Sequence, residues 1–251
     1  MNEGLLSLKD ISQIYIRKGQ TNVALKHIDL TIYQGECLGI VGQSGCGKST
    51  LGKIISLIDP PYRGEVYYKG DKIEFRDRYI YPIRKDIQYI FQDPISAFSP
   101  RMKIKKFLLE PYIHFKLFPK KEALAQIEYY LKQVGLDQSC LNKYPHQLSG
   151  GQLQRIVIAR TLSLSPKLIV CDEITSALDV IVQEEILTLM KKLQVENQLT
   201  LVFISHDLSL VQRFCDRTMV LLEGEQVTCL NSQDFSASTH PYIRLLKDSL
   251  L

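Results

Sequence analysis

The sequence predicts an α/β fold with a parallel sheet at its centre, an antiparallel β subdomain near the N-terminus and an inserted α-helical subdomain. Two unbroken apolar runs, 168–172 and 200–205, are typical of parallel strands that are covered on both faces. A crossover helix between them is predicted by apolar residues at helical spacing: Val182, Ile186, Leu189 and Leu193. A third apolar run, 37–41, leads into a glycine-rich loop. This order of strands and helices predicts a doubly wound sheet whose ligand lies beyond the carboxyl ends of its strands.

Length and composition fit one large α/β domain. The chain has 251 residues, a formal net charge of +4 and no concentrated basic block, which suits a protein that handles nucleotide anions and does not require nucleic acid. Its six cysteines show no C-x-x-C pairing, so we expect a reducing compartment, no disulfide and no metal cluster. No apolar stretch reaches the ~18 residues of a spanning helix, and no signal-peptide pattern opens the sequence. We therefore expect a soluble, cytosolic chain that reaches a membrane only through a partner.

The N-terminal region shows part of the period-two pattern of half-buried antiparallel strands, over 5–11 and 24–32. Tyr15 falls between these runs in a turn-like stretch rich in Gln, Lys and Gly, and its simplest interpretation is an aromatic residue of a strand, packed on the core. After a cluster of breaking residues at 59–64, the stretch 65–73 returns to strand with a Gly-Asp turn. We expect it to extend the same antiparallel sheet.

The loop after residues 37–41 has the spacing of a phosphate-binding loop. Its residues are Gly42, Gln43, Ser44, Gly45, Cys46, Gly47, Lys48, Ser49 and Thr50. The glycines let the backbone turn tightly and bring N–H groups to phosphate oxygens, the lysine adds positive charge, and the hydroxyl after it can bind Mg²⁺. The helix that follows directs the positive end of its dipole at the anion. A glycine-rich turn that fits by chance is disfavoured because a strand precedes the loop and a helix follows it.

Residues 94–144 have a helical but irregular character and form a candidate inserted subdomain. They follow a short predicted strand at 87–91 that ends at Gln92. Breaks are expected at three prolines: Pro100, Pro111 and Pro119. One amphipathic helix is predicted over 120–134, with Gly135 as its C-cap. The aromatic residues of this region either pack in the core or form a surface for a partner.

Further groups that carry chemistry fall at the expected ligand edge. Asp172 and Glu173 follow a buried strand, and because a buried acidic pair is costly unless a cation or ligand compensates it, we expect one acid to hold a metal and the other to act on water. His206 follows the next strand in the same way. A lone histidine is more often structural, but its position on a strand adjacent to the carboxylate strand favours a functional role. A second anion site is predicted at a helix start: Ser149, Gly150, Gly151 and Gln152. Each site is therefore expected to serve a nucleotide that is shared with another copy or a homologue.

Together these motifs resemble the nucleotide-binding subunit of an ATP-binding cassette (ABC) transporter over nearly the whole chain. The matching motifs are Walker A (42–50), the Q-loop glutamine (92), the LSGGQ signature (148–152), Walker B with the following acid (168–173), the D-loop (176–179) and the switch histidine (206). The resemblance implies a P-loop NTPase with a RecA-like core, and ATP and Mg²⁺ as cofactors. The signature separates this family from other P-loop proteins.

The resemblance also implies roles for single residues. Lys48 would bind the β- and γ-phosphates, Glu173 would be the general base, and His206 would contact the γ-phosphate. The ligands of Mg²⁺ would be Ser49, Gln92 and, through water, Asp172. The signature and D-loop residues that bind nucleotide would be Ser149, Gly150, Gly151, Gln152 and Asp179. Tyr15 would be the aromatic that stacks on adenine.

Shorter motifs are similar to the importer group for oligopeptides, dipeptides, nickel and opines. They lie at 89–94, 99–102, 144–147 and 240–242. This similarity implies the second of two paired ATPases, which energises uptake of peptide, nickel or metal-opine complexes. The implied partners are a second homologous ATPase in a face-to-face heterodimer, two transmembrane permease subunits and, indirectly, a substrate-binding protein, with no nucleic acid. The implied location is the cytoplasmic side of the cell membrane, as a peripheral subunit.

Two residues depart from the family pattern. Ile174 stands where proline is usual, and Leu153 follows the signature where a basic or polar residue is commoner. Neither departure removes a catalytic group, but Ile174 is expected to loosen the approach to the D-loop and so to affect the rate.

The expected organisation is a single ABC ATPase domain with four parts. These are the antiparallel β subdomain (1–36 and 63–86), the nucleotide-binding core (37–62, 87–93 and 160–230), the helical subdomain with the signature (94–159) and a C-terminal helical tail (231–251). One competing interpretation is a soluble cassette protein that acts on ribosomes or DNA, although such proteins usually join two cassettes or carry coiled-coil insertions. Another is a small-molecule kinase, which leaves the signature and His206 unexplained.

Overall fold

Two sheets and the helices around them make up the structure, a computed structural model that describes residues 4–17, 19–237 and 241–243. The strands are β1 (Gly4–Arg17), β2 (Gln20–Tyr33), β3 (Cys37–Val41), β4 (Arg63–Tyr68), β5 (Asp71–Lys72), β6 (Ile87–Ile90), β7 (Leu168–Asp172), β8 (Thr200–Ser205), β9 (Arg217–Leu222) and β10 (Glu225–Asn231). The helices are α1 (Lys48–Ile55), α2 (Asp77–Ile80), α3 (Ile104–His114), α4 (Lys120–Gln133), α5 (Gly150–Leu162), α6 (Val180–Asn197) and α7 (Leu208–Phe214). Short 3-10 turns lie at Ile95–Ala97, Gln138–Asn142, Pro145–Gln147 and Ser232–Ala237.

The antiparallel sheet has the strand order β2-β1-β4-β5. β1 and β2 pair along nearly the whole length of both strands. Tyr15 therefore lies within β1, opposite Asn22, in agreement with its interpretation as a strand residue, whereas the turn-like stretch predicted around it is wrong. Its neighbours Ile14 and Ile16 are β-branched, and such residues favour an extended backbone, so the strand continues past the predicted turn.

The second sheet has the strand order β10-β9-β3-β8-β7-β6 and is parallel except at β10. Helices cover both faces, because α7 packs at Gly39 whereas α1 packs at Ile204, and these positions belong to opposite faces in the β3–β8 register. The central residues of β3, β7, β8 and β9 are buried, whereas those of β6 and β10 are partly buried. The carboxyl ends of β3, β7 and β8 consequently meet along one edge of the sheet.

A glycine at position 52 lets α1 approach this sheet closely. A Cβ at Gly52 would lie 2.6 Å from Ile204 Cδ1 and 3.3 Å from Tyr89 Cε2, both shorter than an ordinary carbon–carbon contact. The side chains of β6 and β8 thus occupy the space that a larger residue would need. The first turn of α1, which begins at Lys48, is thereby held beside the carboxyl edge of the sheet.

The helices of the 94–162 region agree in part with the sequence analysis. The amphipathic helix predicted over 120–134 is α4, and Gly135 follows it with a φ of 72°, as a helix-ending glycine does. Pro111 does not break α3, contrary to the prediction, because it lies buried among the apolar side chains of that helix and packing offsets the lost N–H donor. The expected boundary between residues 159 and 160 lies inside α5, which is continuous.

Arg217 joins the two sheets. From β9 its Nη1 donates to the Thr31 carbonyl oxygen of β2 at 3.1 Å and to Glu36 Oε2 at 3.0 Å. Burial raises the pKa of Glu36, although Arg217 and the Tyr33 backbone N–H act in the opposite direction. The antiparallel sheet is therefore tied to the strand that leads into the phosphate loop.

The predicted leucine-rich C-terminal helix lies largely outside the described residues. Within them, Tyr242 and Ile243 pack into the core. All six cysteines are free thiols, and five of them are buried. None of the described helices is long and apolar enough to cross a membrane.

Candidate active site

The phosphate loop lies between β3 and α1 and is shaped by Gly47. This residue precedes α1 with a φ of 108°, and a Cβ there would lie 2.4 Å from the Ala24 carbonyl oxygen of β2. Lys48 is buried, and its Nζ donates to the carbonyl oxygens of Gly42 at 2.7 Å and Gln43 at 2.9 Å. The loop therefore curls around its own ammonium group, with the start of α1 directly behind it.

Gly47→Ala is expected to destabilise the protein more than Gly45→Ala. Both glycines have positive φ, which costs an alanine about 1–2 kcal/mol, but no atom lies within 4 Å of a Cβ at Gly45. The additional backbone overlap at Gly47 should add about 2 kcal/mol, or about 4–8 °C in melting temperature for a chain of this size. Thermal unfolding without nucleotide measures this difference, and equal melting temperatures for the two variants would contradict it.

Asp172, at the end of β7, lies directly beside the loop. Its Oδ1 accepts from Ser49 Oγ at 3.2 Å, and its Oδ2 accepts from the Tyr89 hydroxyl at 2.5 Å. Burial and this hydrogen bond raise the pKa of Tyr89 well above its usual value, so the hydroxyl keeps its proton and donates. The role of Tyr89 was not predicted from the sequence, where its only signal is a phenol in a short strand that also contains Gln88.

Glu173 follows with its backbone in the left-handed region, at a φ of 47°. Its N–H donates to the Ile204 carbonyl oxygen of β8 at 3.0 Å. Gln92 Nε2 donates to Glu173 Oε2 at 2.9 Å, and His206 Nδ1 lies 3.5 Å from Glu173 Oε1. A non-glycine residue with positive φ is uncommon and is often found at functional sites. The structure thus gathers residues from three strand ends around one carboxylate.

The donor set next to the loop suits Mg²⁺. Ser49 Oγ and Asp172 Oδ1 are hard oxygen donors that already lie 3.2 Å apart, and Mg²⁺ in nucleotide sites uses one or two such protein ligands together with phosphate oxygens. Among the described residues, no group of three or more His, Cys, Asp and Glu could hold a metal without other ligands. The Gln92 amide is engaged with Glu173 and with Ser176 Oγ, at 3.2 Å.

The signature lies at the start of α5 and is not joined to the phosphate loop. Ser149 and Gln152 form a reciprocal cap in which Ser149 Oγ accepts from Gln152 N–H and Gln152 Oε1 accepts from Ser149 N–H. Within the described parts of the chain, no hydrogen bond or ion pair connects residues 148–152 to residues 42–50. A Cβ on Gly151 would instead meet Val182 of α6. The signature therefore packs on α6, and none of the described bonds joins it to the phosphate loop.

The D-loop aspartate begins the helix that faces the signature. Asp179 Oδ1 accepts from Val182 N–H at 3.0 Å and caps α6. The side chains of Leu153 and Ile174, the two departures from the family pattern, are both buried. The signature and the D-loop thus lie on adjoining helix starts, and both unusual residues serve the packing behind them.

Tyr15 and Cys46, two further predicted binding residues, lie on β1 and in the phosphate loop. Tyr15 is half-buried on β1 and pairs with Asn22 of β2. Asn22 is two residues before Ala24, whose carbonyl oxygen lies close to Gly47. Cys46 is buried in the loop, and burial raises the pKa of its thiol although Lys48 acts in the opposite direction. Tyr15 therefore lies on the strand pair whose Ala24 borders the phosphate loop.

Comparison with known proteins identifies the family. Residues 25–176 match the ABC transporter family, which is more than half of the chain. The chain belongs to the ABC transporter family. This ABC protein is 42% identical over 229 residues to the nickel import ATP-binding protein NikE of Shigella dysenteriae serotype 1, which covers 89% of this chain and 85% of that protein. It is 38% identical to the oligopeptide transport ATP-binding protein AppF of Bacillus subtilis, over 99% of this chain and 78% of that one.

Solved structures of ABC proteins share its fold. A dimeric ATP-binding cassette, MJ0796, bound to ADP and Pi superposes with a TM-score of 0.81 at 34% identity, covering 90% of this chain and 98% of that one. CbiO1 from Clostridium perfringens, part of the transporter complex cbiONQ, superposes with a TM-score of 0.83 at 26% identity. The match covers 99% of this chain and 100% of that one. The predicted α/β class is confirmed, and this ABC protein is an importer ATPase that binds ATP and couples its hydrolysis to transport.

A groove of about 830 Å³ opens on the outer side of β6 in this ABC protein. The end of α1, strand β6, and helices α3 and α5 form its walls. Representative lining residues are Leu57, Tyr89, Phe91, Ala97, Phe107 and Arg160. Because Phe91 and Asp93 flank Gln92 in the chain and both line the groove, the groove adjoins the segment that carries the Gln92–Glu173 hydrogen bond.

Proposed function

We propose that this chain is the ATP-binding and hydrolysing subunit of an importer for nickel, peptides or metal-opine complexes, and that its active site is shared with a second ATPase subunit. The observation that carries this proposal is the separation of the two anion sites within one chain. Ser49 of the phosphate loop is bonded to Asp172, whose chain neighbour Glu173 lies beside His206. The signature instead faces residues 178–182. The names of the relatives NikE and AppF refer to nickel import and oligopeptide transport, and these names support the proposed class of cargo.

Each residue at the loop has a role in this proposal. Lys48 and the N–H groups of residues 42–50 bind the phosphates, which fits a buried ammonium within a ring of backbone groups. Ser49, Gln92 and, through water, Asp172 would hold Mg²⁺, which would neutralise charge on the phosphates. Glu173 takes the proton of the water that attacks the γ-phosphorus, and ADP is the leaving group. His206 contacts the γ-phosphate from the neighbouring strand end, and Tyr15 stacks on adenine.

The other half of the site comes from the facing subunit in this proposal. The side chain of His206 is 64% exposed, so one side of the catalytic edge is open to a partner. The signature residues Ser149, Gly150, Gly151 and Gln152, together with Asp179, bind the ATP held by that partner. Gln152 N–H donates to Ser149 Oγ. The N–H groups of Gly150 and Gly151, which have no partners within an α-helix at these positions, suit phosphate oxygens. A homologous second ATPase, in a heterodimer, supplies the matching residues.

The groove beside β6 is the docking site for a helix of a permease subunit. Its walls are largely apolar, with Glu110 and Arg160 beside them in an ion pair at 2.8 Å, as expected for a helix with an apolar face and polar flanks. The groove adjoins the Gln92 segment, so an occupant would contact the strand β6 region whose Tyr89 and Gln92 bond the carboxylates of Asp172 and Glu173. The chain then works at the cytoplasmic side of the membrane as a peripheral subunit, with two permeases, a substrate-binding protein acting indirectly, and no nucleic acid.

Ala97→Arg is expected to reduce recovery of the permease subunits at least tenfold. Ala97 is exposed and lines the groove, so a long charged side chain there fills space and leaves a charge facing an apolar helix. The measurement is co-purification from cells that express the chain together with the permease subunits. Val195→Arg, at another exposed apolar position on α6, is the control and should retain the permeases.

Recovery of wild-type protein with two membrane subunits supports the proposed function. Recovery with ribosomes or DNA instead would replace it with a non-transport ATPase. Equal recovery of permeases by Ala97→Arg and Val195→Arg would exclude the groove as the docking site.

A further inference from the structure

Tyr89 contacts both the candidate metal site and the groove. Its hydroxyl donates to Asp172 Oδ2 at 2.5 Å, and its side chain is among those that line the groove. The aromatic ring lies 4.7 Å from that of Phe91, another lining residue. Tyr89 is thus a single side chain that reaches from the outer side of β6 to the edge where the phosphate loop lies.

The Tyr89 bond fixes which way the Asp172 carboxylate faces. With Oδ2 held by the phenol, Oδ1 is the oxygen directed at Ser49 Oγ, 3.2 Å away. A carboxylate that binds a metal through one oxygen and accepts a hydrogen bond on the other is oriented by that second bond, and removal of such a bond typically lowers metal affinity about 10- to 100-fold.

The ring of Tyr89 has little freedom on its inner side. Tyr89 Cε2 lies 3.3 Å from the place where a Cβ on Gly52 would be, so α1 packs closely against it. The groove side offers the remaining space, because Tyr89, Phe91 and Leu57 border it. A helix in the groove would consequently press on a ring whose hydroxyl donates to Asp172 Oδ2.

We propose that Tyr89 is a positioning residue that orients Asp172 for Mg²⁺ and transmits the docking of a permease helix to that carboxylate. The second half of this inference rests on the proposed function, whereas the first half concerns this chain alone. The contacts that carry it are the phenol–carboxylate bond on one side and the groove wall on the other.

The first test is Tyr89→Phe in the isolated chain, which keeps the ring and removes the hydroxyl. Mn²⁺ affinity is measured by electron paramagnetic resonance in the presence of ATP, in a Glu173→Gln background that slows hydrolysis. We expect Mn²⁺ to bind at least about tenfold more weakly. The Mg²⁺ concentration for half-maximal ATPase should rise in parallel in the variant with Glu173 intact, and kcat should recover at high Mg²⁺.

Tyr68→Phe is the matched control. The Tyr68 hydroxyl donates to Asp86 Oδ2 at 3.0 Å, so this change also removes a tyrosine–aspartate bond, but at the antiparallel sheet. A merely structural role of Tyr89 would lower the melting temperature in both variants and leave Mn²⁺ affinity unchanged. Unchanged Mn²⁺ affinity in Tyr89→Phe would overturn the inference.

The second test compares the isolated chain with the assembled transporter. In the wild type, assembly should lower the Mg²⁺ concentration for half-maximal ATPase at least threefold, and in Tyr89→Phe this shift should disappear. An equal shift in both proteins would overturn transmission through Tyr89. Failure of the wild-type chain to assemble with permeases would instead count against the proposed function, and the Mn²⁺ measurement would still decide whether Tyr89 positions Asp172.

Discussion

Glu173→Gln is expected to bind ATP, hold two ATPase subunits together and hydrolyse ATP at least about 100-fold more slowly than the wild type. A positioned general base contributes about 10²- to 10⁴-fold to a rate, and an amide cannot accept the proton of the attacking water. The substitution preserves size, and an amide oxygen can still accept the Gln92 Nε2 hydrogen bond seen at 2.9 Å. Binding should therefore survive while the chemical step is lost.

Two measurements check this result. Steady-state ATPase assays report the rate, and size-exclusion chromatography with and without ATP reports association of the chain with its partner ATPase. Glu184→Gln is the control because Glu184 is exposed on α6 and pairs with Arg213 at 2.6 Å, away from the site. Unchanged turnover in Glu173→Gln would show that Glu173 is not the general base.

Lys48→Ala should weaken ATP binding at least about 30-fold. The Lys48 ammonium is buried and donates to the carbonyl oxygens of Gly42 and Gln43. Loss of a buried, hydrogen-bonded charge from a binding site costs about 2–5 kcal/mol of binding free energy, and about 1.4 kcal/mol corresponds to each factor of ten. The variant also loses the charge that faces the β- and γ-phosphates in the proposed complex.

Isothermal titration with ATP and Mg²⁺ measures the affinity of this variant. Lys53→Ala is a suitable control because Lys53 lies in the last turn of the same helix, α1. It changes the net charge equally without touching the loop. ATP affinities that fall equally in both variants would show that net charge, and not the position of Lys48, governs binding.

The sequence was most informative where a function depends on consecutive residues. The phosphate loop, the acids after β7 and the histidine after β8 each follow an apolar strand, so their common edge could be predicted from strand order. The partners of those acids could not, because the bonds from Tyr89 and Gln92 depend on how β6 aligns with β7. The extent of β1 around Tyr15 and the continuity of α3 at Pro111 likewise depend on pairing and packing with distant residues.

The position of β6 has a consequence for the timing of hydrolysis. Among the described strands, β6 lies at one edge of its sheet and pairs with β7 alone. The phenol on Asp172 comes from this strand, and the amide on Glu173 comes from the second residue after it. A tilt of this one edge strand would disturb both bonds in the same movement, so the metal-holding acid and the water-activating acid would be aligned or misaligned together.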